Sequence, residues 1–505
     1  MTSPPDRTRA VPAIALALMS LHLALAGRYG VFRDELYYVA CGEHLDFGYV
    51  DHPPLVAVMA RVARMLFGHS LYGLRLAPAL CAAAAVLLAG ELARSLRGGR
   101  FAQVVAAICV VVAPVYLGVD HFLSMNCVEP VAWCGAAVLA VRAVIDDRPR
   151  AWLGIGAVIG VGVLAKHSTV FFAVALVIGL LTTPQRRVLA TRWPWLGAAI
   201  AAALVAPNVA WEVAHRWPTL EFMHNAQTKK MVHLGALAFF REVVVEMHPA
   251  TLPVWIAGLG WLLVDRRARP ARFLAVAFVV LAAFLAVGGG KPYYLAPAFP
   301  ILFAAGGVAL EAWVARSAAR VAVVAALTLL GAVLAPLSIP LLQPEPMRRY
   351  AAALGVSFDS GEKHAQGPLP QHFADQFGWE AMEQRVLAIY RRLPEDERRV
   401  AAVMGDNYGE AGAIDFFGPR DGLPSAVSGH NAYFTWGPPG DGRGAVLIAI
   451  GGDREGFLVA FEEVERADET DAPYAMPYEN HLPIWLCRRP KRPLAELWPL
   501  TKHYI

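Results

Sequence analysis

The stretch that decides the fold runs from Phe32 to Gly68: FRDELYYVACGEHLDFGYVDHPPLVAVMARVARMLFG. It follows an apolar run, Val11 to Ala26, that Arg7 and Arg9 precede. After Pro53-Pro54, a helix-opening pair, Val56, Ala60, Ala63, Leu66 and Phe67 recur at helical spacing, with Arg61 and Arg64 between them. Two arginines make this segment too charged for a span, and it reads as a helix lying along a membrane interface. Asp34 to Gly42 reads as a second, shorter interfacial helix. Together they present Asp34, Glu35, Asp51 and His52 at a bilayer surface, just beyond a first span.

Composition agrees. The chain has 505 residues, 57% hydrophobic and 17% charged, with mean hydropathy +0.44. A soluble domain carries roughly 25% charged residues, so a long water-soluble enzyme is excluded. The 43 Gly and 36 Pro follow no period, which excludes a collagen-like chain. A net charge of +4 gives no argument for nucleic acid. The six cysteines form no CxxC or His-spaced metal pattern and read as small buried hydrophobes. No small-residue cleavage site follows the first run, so a retained span is expected over a removed signal peptide.

About 20 apolar residues cross a bilayer, and about eleven such runs appear: 11–28, 74–93, 102–119, 127–145, 152–165, 168–183, 195–211, 250–264, 273–288, 294–313 and 321–340. The fifth and sixth are short and meet at Ala165-Lys166-His167-Ser168, as a tight hairpin or one broken segment. Arginines fill alternate junctions: Arg94/Arg97/Arg100, Arg148/Arg150, Arg186/Arg187/Arg192, Arg266/Arg267/Arg269/Arg272 and Arg316/Arg320. By the positive-inside rule that face is cytoplasmic. An odd count then places the N-terminus inside and the C-terminal region outside. The expected architecture is a mainly α, polytopic membrane domain over residues 1–340 and a small soluble α/β domain over 341–505. The glycines Gly154, Gly156, Gly160 and Gly162 lie inside an apolar run without nucleotide-loop spacing, and predict a close helix–helix seam.

Ionisable groups at a membrane face are functional candidates. Asp34 can act as a general base toward a hydroxyl, yet Asp34 and Glu35 also suit a helix N-terminus. Asp51 before His52-Pro53-Pro54 can equally be an N-cap. Lys166 and Lys291, the latter after Gly288-Gly289-Gly290, could approach a phosphate or snorkel at span ends.

These motifs resemble bacterial membrane glycosyltransferases of family 39 in the GT-C superfamily, related to protein O-mannosyltransferases and the lipid A aminoarabinose transferase. The residues carrying the resemblance are Arg33-Asp34-Glu35-Leu36-Tyr37-Tyr38 and Gly48-Tyr49-Val50-Asp51-His52-Pro53-Pro54-Leu55. Leu164-Ala165-Lys166-His167-Ser168, Pro207-Asn208 with Trp211, and Lys291-Pro292-Tyr293-Tyr294 through Pro300 agree with it. The resemblance implies sugar transfer from a polyprenyl-phosphate donor to a lipid, glycan or protein acceptor, on the periplasmic side of a bacterial inner membrane. It implies Asp34 as the base, Glu35 completing an acidic pair, and Asp51 and His52 near the donor phosphate or a metal. Lys166 and Lys291 fall where the family often keeps basic residues near the outer face, and with Asn126, His167, Tyr293 and Tyr294 they are the expected donor-phosphate or substrate contacts. Where the family commonly reads Thr-Pro-Asp, this chain has Ser124-Met125-Asn126, with Glu129 following. Asn126 hydrogen-bonds without adding charge, so no metal is predicted, although a divalent ion is compatible with the chemistry.

From Gln343 the apolar runs shorten. Trp379 to Arg392 reads as a helix, Arg399 to Met404 and Gly444 to Ile450 as strands, and Phe457 to Val464 as the start of a further element. Asp406, Asn407 and Glu410 could bind sugar or cap the next helix. Ser428 to Asn431 with Trp436 suits carbohydrate contact. The competing function is a transporter or flippase of lipid-linked sugars, which should show inverted repeats with mid-span charges; none is evident.

Overall fold

The computed structural model describes residues 4–358, 362–440 and 442–505. The chain is mainly helical and divides into two compact units. One comprises the chain up to Ala26, Tyr72–Trp211 and His233–Leu341. The other comprises Gly27–Leu71, Glu212–Val232 and Leu342–Ile505. The first outer loop therefore folds with the C-terminal region, not with the apolar helices.

In the first unit every one of the eleven apolar runs forms a helix. Six are long and apolar enough to cross a membrane: Leu71–Ser95, Met125–Ile145, Arg192–Ala214, Arg269–Val287, Pro292–Trp313 and Ser317–Leu337. Two more candidates are bent pairs, Thr169–Leu181 with Pro184–Ala190 at 111°, and Ala236–Glu246 with Pro249–Val264 at 95°. Ala10–Leu25, Arg100–Val112 and Ala151–Ala165 are shorter apolar helices. The run read as 102–119 breaks at Ala113-Pro114, where Ala113 turns extended (φ −72°, ψ 118°), as the residue before proline must.

The junction at Lys166 is a hairpin between two helices, Ala151–Ala165 and Thr169–Leu181. A Cβ on Gly162 would stand 2.9 Å from Thr169 Cγ2, so glycine permits the tight return. The glycine run is a packing seam, as its composition predicts. A Cβ on Gly156 would collide with the Gly197 carbonyl, and one on Gly160 would stand 2.8 Å from Leu204. At the arginine-rich end, Glu91 receives Arg94 at 2.6 Å, Arg142 at 2.5 Å and Arg7 at 3.2 Å. Arg97 pairs with Asp146 at 2.6 Å. The Gly99 amide donates to Glu311, whose backbone oxygen accepts from Arg320 at 2.8 Å. Several junctions assigned to one face thus converge. All six cysteines are free and five are buried.

The second unit holds a five-stranded mixed sheet: β1 (Ala401–Gly405), β2 (Ala426–Val427), β3 (Val446–Ile450), β4 (Phe461–Glu469) and β5 (Pro483–Pro490), in the order β2-β1-β3-β5-β4. β2, β1 and β3 are parallel; β5 and β4 return antiparallel. Every residue of β3 is buried, as a continuous apolar run in a central strand requires. The helix read over Trp379 to Arg392 is present with those bounds. The element expected from Phe457 begins as a helix, Arg454–Ala460, before β4.

Both helices read as interfacial are present as helices, Arg33–Glu43 and Leu55–Phe67. They meet at Gly42, where a Cβ would stand 3.0 Å from the Arg61 amide. Val56, Ala57, Ala60 and Ala63 form the buried stripe. Leu66 and Phe67, read as part of that stripe, are exposed instead, alongside Val58, Val62 and Met65. An exposed apolar face beside a buried one suits a helix partly immersed in lipid.

Candidate active site

Asp34 stands in the first turn of Arg33–Glu43, and its carboxylate Oδ1 accepts from the Tyr408 hydroxyl at 2.9 Å. Among the described residues this is the carboxylate's hydrogen bond, and Asp34 remains partly exposed. Its neighbour Glu35 behaves differently. It is fully buried and its Oε2 accepts the Phe32 N–H at 2.9 Å, the reciprocal half of a capping box. The helix-terminus reading therefore describes Glu35.

Asp51 accepts from the Tyr37 hydroxyl at 2.7 Å, and that oxygen accepts the Ala432 N–H at 3.1 Å. Burial pushes the Asp51 carboxyl above the usual range, with Asp34 adding to the shift and His52 and the Tyr37 hydroxyl opposing it. The rings of Tyr37 and Tyr408 stack at 4.6 Å. Each acid is thus held by one tyrosine of a stacked pair. His52 is fully buried. Nδ1 lies 2.9 Å from the Pro53 carbonyl and Nε2 3.6 Å from Cys41 Sγ, and its ring stacks on Tyr49 at 4.7 Å. Both ring nitrogens of His52 therefore lie against protein atoms. Among the described residues no group of three His, Cys, Asp or Glu is set to hold a metal ion.

Arg33 anchors this cluster to the sheet. Its guanidinium lies 4.7 Å from the Tyr408 ring centroid and 3.6 Å from Glu479 Oε1. Asn407 donates to Glu410 at 2.9 Å and to Glu479 at 3.0 Å, while its Oδ1 caps the Gly409 and Glu410 amides. Capping is therefore what Asn407 does. Burial raises both Glu410 and Glu479, and Arg33 opposes the shift at each. Ser428, His430 and Asn431, read as a carbohydrate loop, are buried, and Trp436 stacks on His44 at 4.3 Å. That loop braces the acidic helix through the Ala432 N–H and the Trp436 ring.

In the first unit, Lys166 Nζ donates to Asn126 Oδ1 at 2.8 Å and to Glu129 Oε2 at 3.0 Å. It lies 4.5 Å from the Tyr294 ring centroid and 5.4 Å from that of Tyr293. Asn126, Glu129 and Tyr293 line a narrow cleft with Tyr116. Four of the residues singled out in the sequence, Asn126, Lys166, Tyr293 and Tyr294, are thus brought together. Glu129 balances the lysine's charge. His167 turns aside, Nε2 3.1 Å from Asn208 Oδ1.

Lys291 opens the 3₁₀ segment Pro292–Ala298 that carries both tyrosines. The glycine turn before it is not a phosphate cradle. The Gly288 and Gly290 amides donate to Phe284 and Leu285 carbonyls at 2.8 and 2.9 Å, and Gly289 has φ +69°. That is a helix terminator using left-handed glycine, with two of its amides already engaged.

Sequence reading missed Tyr408, Asp375, Tyr478 and Glu479 around Asp34. Their signal lies in Asn407 and Glu410 as cap partners; nothing local points back to Asp34.

Comparison with known proteins shows what the chain is similar to. Residues 51–211 match the family model described as dolichyl-phosphate-mannose-protein mannosyltransferase. That stretch contains Asp51, His52, Asn126, Lys166 and His167 and leaves Asp34 and Lys291 outside. Lipid A galacturonosyltransferase RgtD of Rhizobium johnstonii is 28% identical over 194 residues, 36% of this chain. The match spans 39% of that relative's length. The crystal structure of ArnT from Cupriavidus metallidurans bound to undecaprenyl phosphate aligns with a TM-score of 0.60 at 16% identity, over 94% of this chain and 97% of that one. Its apo form aligns at 0.59. The chain shares the ArnT fold, and the resemblance to GT-C membrane glycosyltransferases read from the motifs stands.

Proposed function

We propose that this chain is a membrane glycosyltransferase that moves a sugar from a polyprenyl-phosphate donor to an acceptor hydroxyl at the periplasmic face of the inner membrane. The observation that carries the reading is Asp34: a partly exposed carboxylate, held at one oxygen by Tyr408, in a loop whose neighbouring helix has an exposed apolar face. In the proposed step the acceptor oxygen attacks the sugar's anomeric carbon as its proton passes to Asp34. The bond from that carbon to the phosphate oxygen breaks, and its electron pair leaves with the polyprenyl phosphate. A single displacement inverts the anomeric centre, since one base suffices.

Phosphate is a weak base and needs no strong acid to depart; it needs positive charge and hydrogen-bond donors. Lys291, Lys166 and the hydroxyls of Tyr293 and Tyr294 are assigned to that task, with Asn126 orienting Lys166. Glu129 balances Lys166, and Lys291 is assigned as a second cation for the same phosphate. Asp51 supports the acidic loop through Tyr37. The names of the similar proteins make undecaprenyl phosphate the first carrier to test and lipid A the first acceptor.

The test uses purified protein in lipid nanodiscs with radiolabelled undecaprenyl-phosphate hexose, hexuronate and pentose, and lipid A as acceptor. Wild type should release undecaprenyl phosphate as label reaches the acceptor, and Asp34→Asn should lose about a thousandfold of that rate. Movement of the lipid-linked sugar across the bilayer without glycosidic cleavage would establish the carrier reading instead.

A further inference from the structure

We propose that Tyr408, on the C-terminal side of the chain, is a positioning residue for Asp34: its hydroxyl fixes one carboxylate oxygen so that the other faces the acceptor. The inference rests on the reading of Asp34 as the base and extends it to a residue 374 positions away.

The geometry holds Tyr408 from every side. Its backbone N–H donates to His430 Nδ1 at 3.3 Å. Its ring stacks on Tyr37 at 4.6 Å, lies 4.8 Å from the His430 ring, and faces the Arg33 guanidinium at 4.7 Å. It opens the helix Tyr408–Phe417, whose N-cap Asn407 also grips Glu479, the partner of Arg33. Glycines allow the approach: a Cβ on Gly409 would stand 2.8 Å from Arg33 Cγ, and one on Gly412 3.0 Å from Leu36 Cβ. A side chain so confined loses little further entropy when its hydroxyl directs a hydrogen bond, and an oriented base is worth far more than a mobile one. The titratable and charged groups facing this pair are Arg33, Tyr37, Tyr38, Asp51, Asp375 and His430. Burial and the Asp34 charge hold the Tyr408 phenol protonated well beyond the ordinary tyrosine range, so it remains a donor wherever a carboxylate base works.

Tyr408→Phe removes the hydroxyl and keeps the ring, its stack and its cap. On the donor that wild type uses, kcat should fall about tenfold to a hundredfold with KM for donor and acceptor unchanged. The acid limb of the kcat profile should move to higher pH, because a hydrogen bond to a carboxylate favours its charged form. A thermal melt equal to wild type shows the fold intact, and Tyr408→Leu, which also loses the ring, should show the same profile shift with a lower melt. Unchanged kcat and an unchanged profile in Tyr408→Phe, or a change in KM alone, overturns the inference. If Asp34→Asn is inactive while Tyr408→Phe matches wild type, only the positioning role fails. Turnover by Asp34→Asn, or a wild type silent on every donor, overturns the base reading and this one with it.

Discussion

Asp375 is 4% exposed; its backbone oxygen accepts the Arg33 N–H at 2.9 Å and its Oδ1 accepts the Tyr478 hydroxyl at 3.4 Å. Burial pushes its carboxyl up to about 7, against the pull of Arg33. The unfolded chain releases that proton near pH 4, so between pH 4 and 7 the folded state binds more protons than the unfolded one. Stability therefore falls as pH rises across that window and is flat above it. Asp375→Asn keeps the side-chain shape and cannot ionise. Its melting temperature should gain on wild type between pH 5 and 8, the gap corresponding to about 2–4 kcal/mol. Parallel melting curves for the two proteins would show that Asp375 ionises with an ordinary affinity. Asp34 and Asp51 were legible in the sequence because both lie in one short stretch bounded by a span and a double proline. Their holders were legible only in part: Tyr37 lies within the stretch, whereas Tyr408 reaches Asp34 through folding alone. The burial of Glu35 and His52 was not legible, because sequence shows which polar groups are near a site but not which way they point.

Elements were read best where one physical signal dominates. Apolar length located all eleven helical runs, and Pro53-Pro54 located the start of Leu55–Phe67 to within a residue. Bends were the failure. The helix Ala236–Glu246, inside a segment read as outer loop, continues through a 95° bend into the next apolar helix, since Pro249 closes one helical axis and opens another. The glycine seam can be tested by contrast. In Ala151–Ala165 a Cβ at Gly156 strikes the Gly197 carbonyl, whereas a Cβ at Gly260 in Leu252–Val264 would meet no atom within 4 Å. Gly156→Ala should force the two helices apart and cost about 1–3 kcal/mol. Gly260→Ala should be neutral or stabilising, because alanine is the better helix former. Thermal aggregation in detergent, followed by size exclusion, reads both; equal midpoints for the two variants would remove the seam from the packing.

For the whole molecule, the discontinuity of the second unit constrains topology more tightly than charge counting. A compact unit built from Gly27–Leu71, Glu212–Val232 and Leu342–Ile505 requires all three pieces on one face, so the chain must cross an even number of times between them. Taking each apolar helix or bent pair as one crossing, six lie between the first and second pieces and four between the second and third. Both counts are even, although by length and composition six of these helices, or eight with each bent pair taken as one, are long and apolar enough to span. On that count the short helices at Lys166 are expected to cross as two or not at all, because losing just one would divide the unit across the bilayer. The arginine junctions are tied together through Glu91 and Glu311, and the positive-inside rule predicts a cytoplasmic face for them. Single cysteines at Asp46, Lys229 and Arg420 should react with a membrane-impermeant maleimide in intact spheroplasts, while those at Arg148 and Arg267 should react only after permeabilisation. The native thiols, five of six buried, contribute little background. Reaction of positions 229 and 420 from different sides would break the even-crossing argument. Reaction of all three only after permeabilisation would keep the unit whole and put Asp34 on the cytoplasmic face, where a periplasmic acceptor could not reach it.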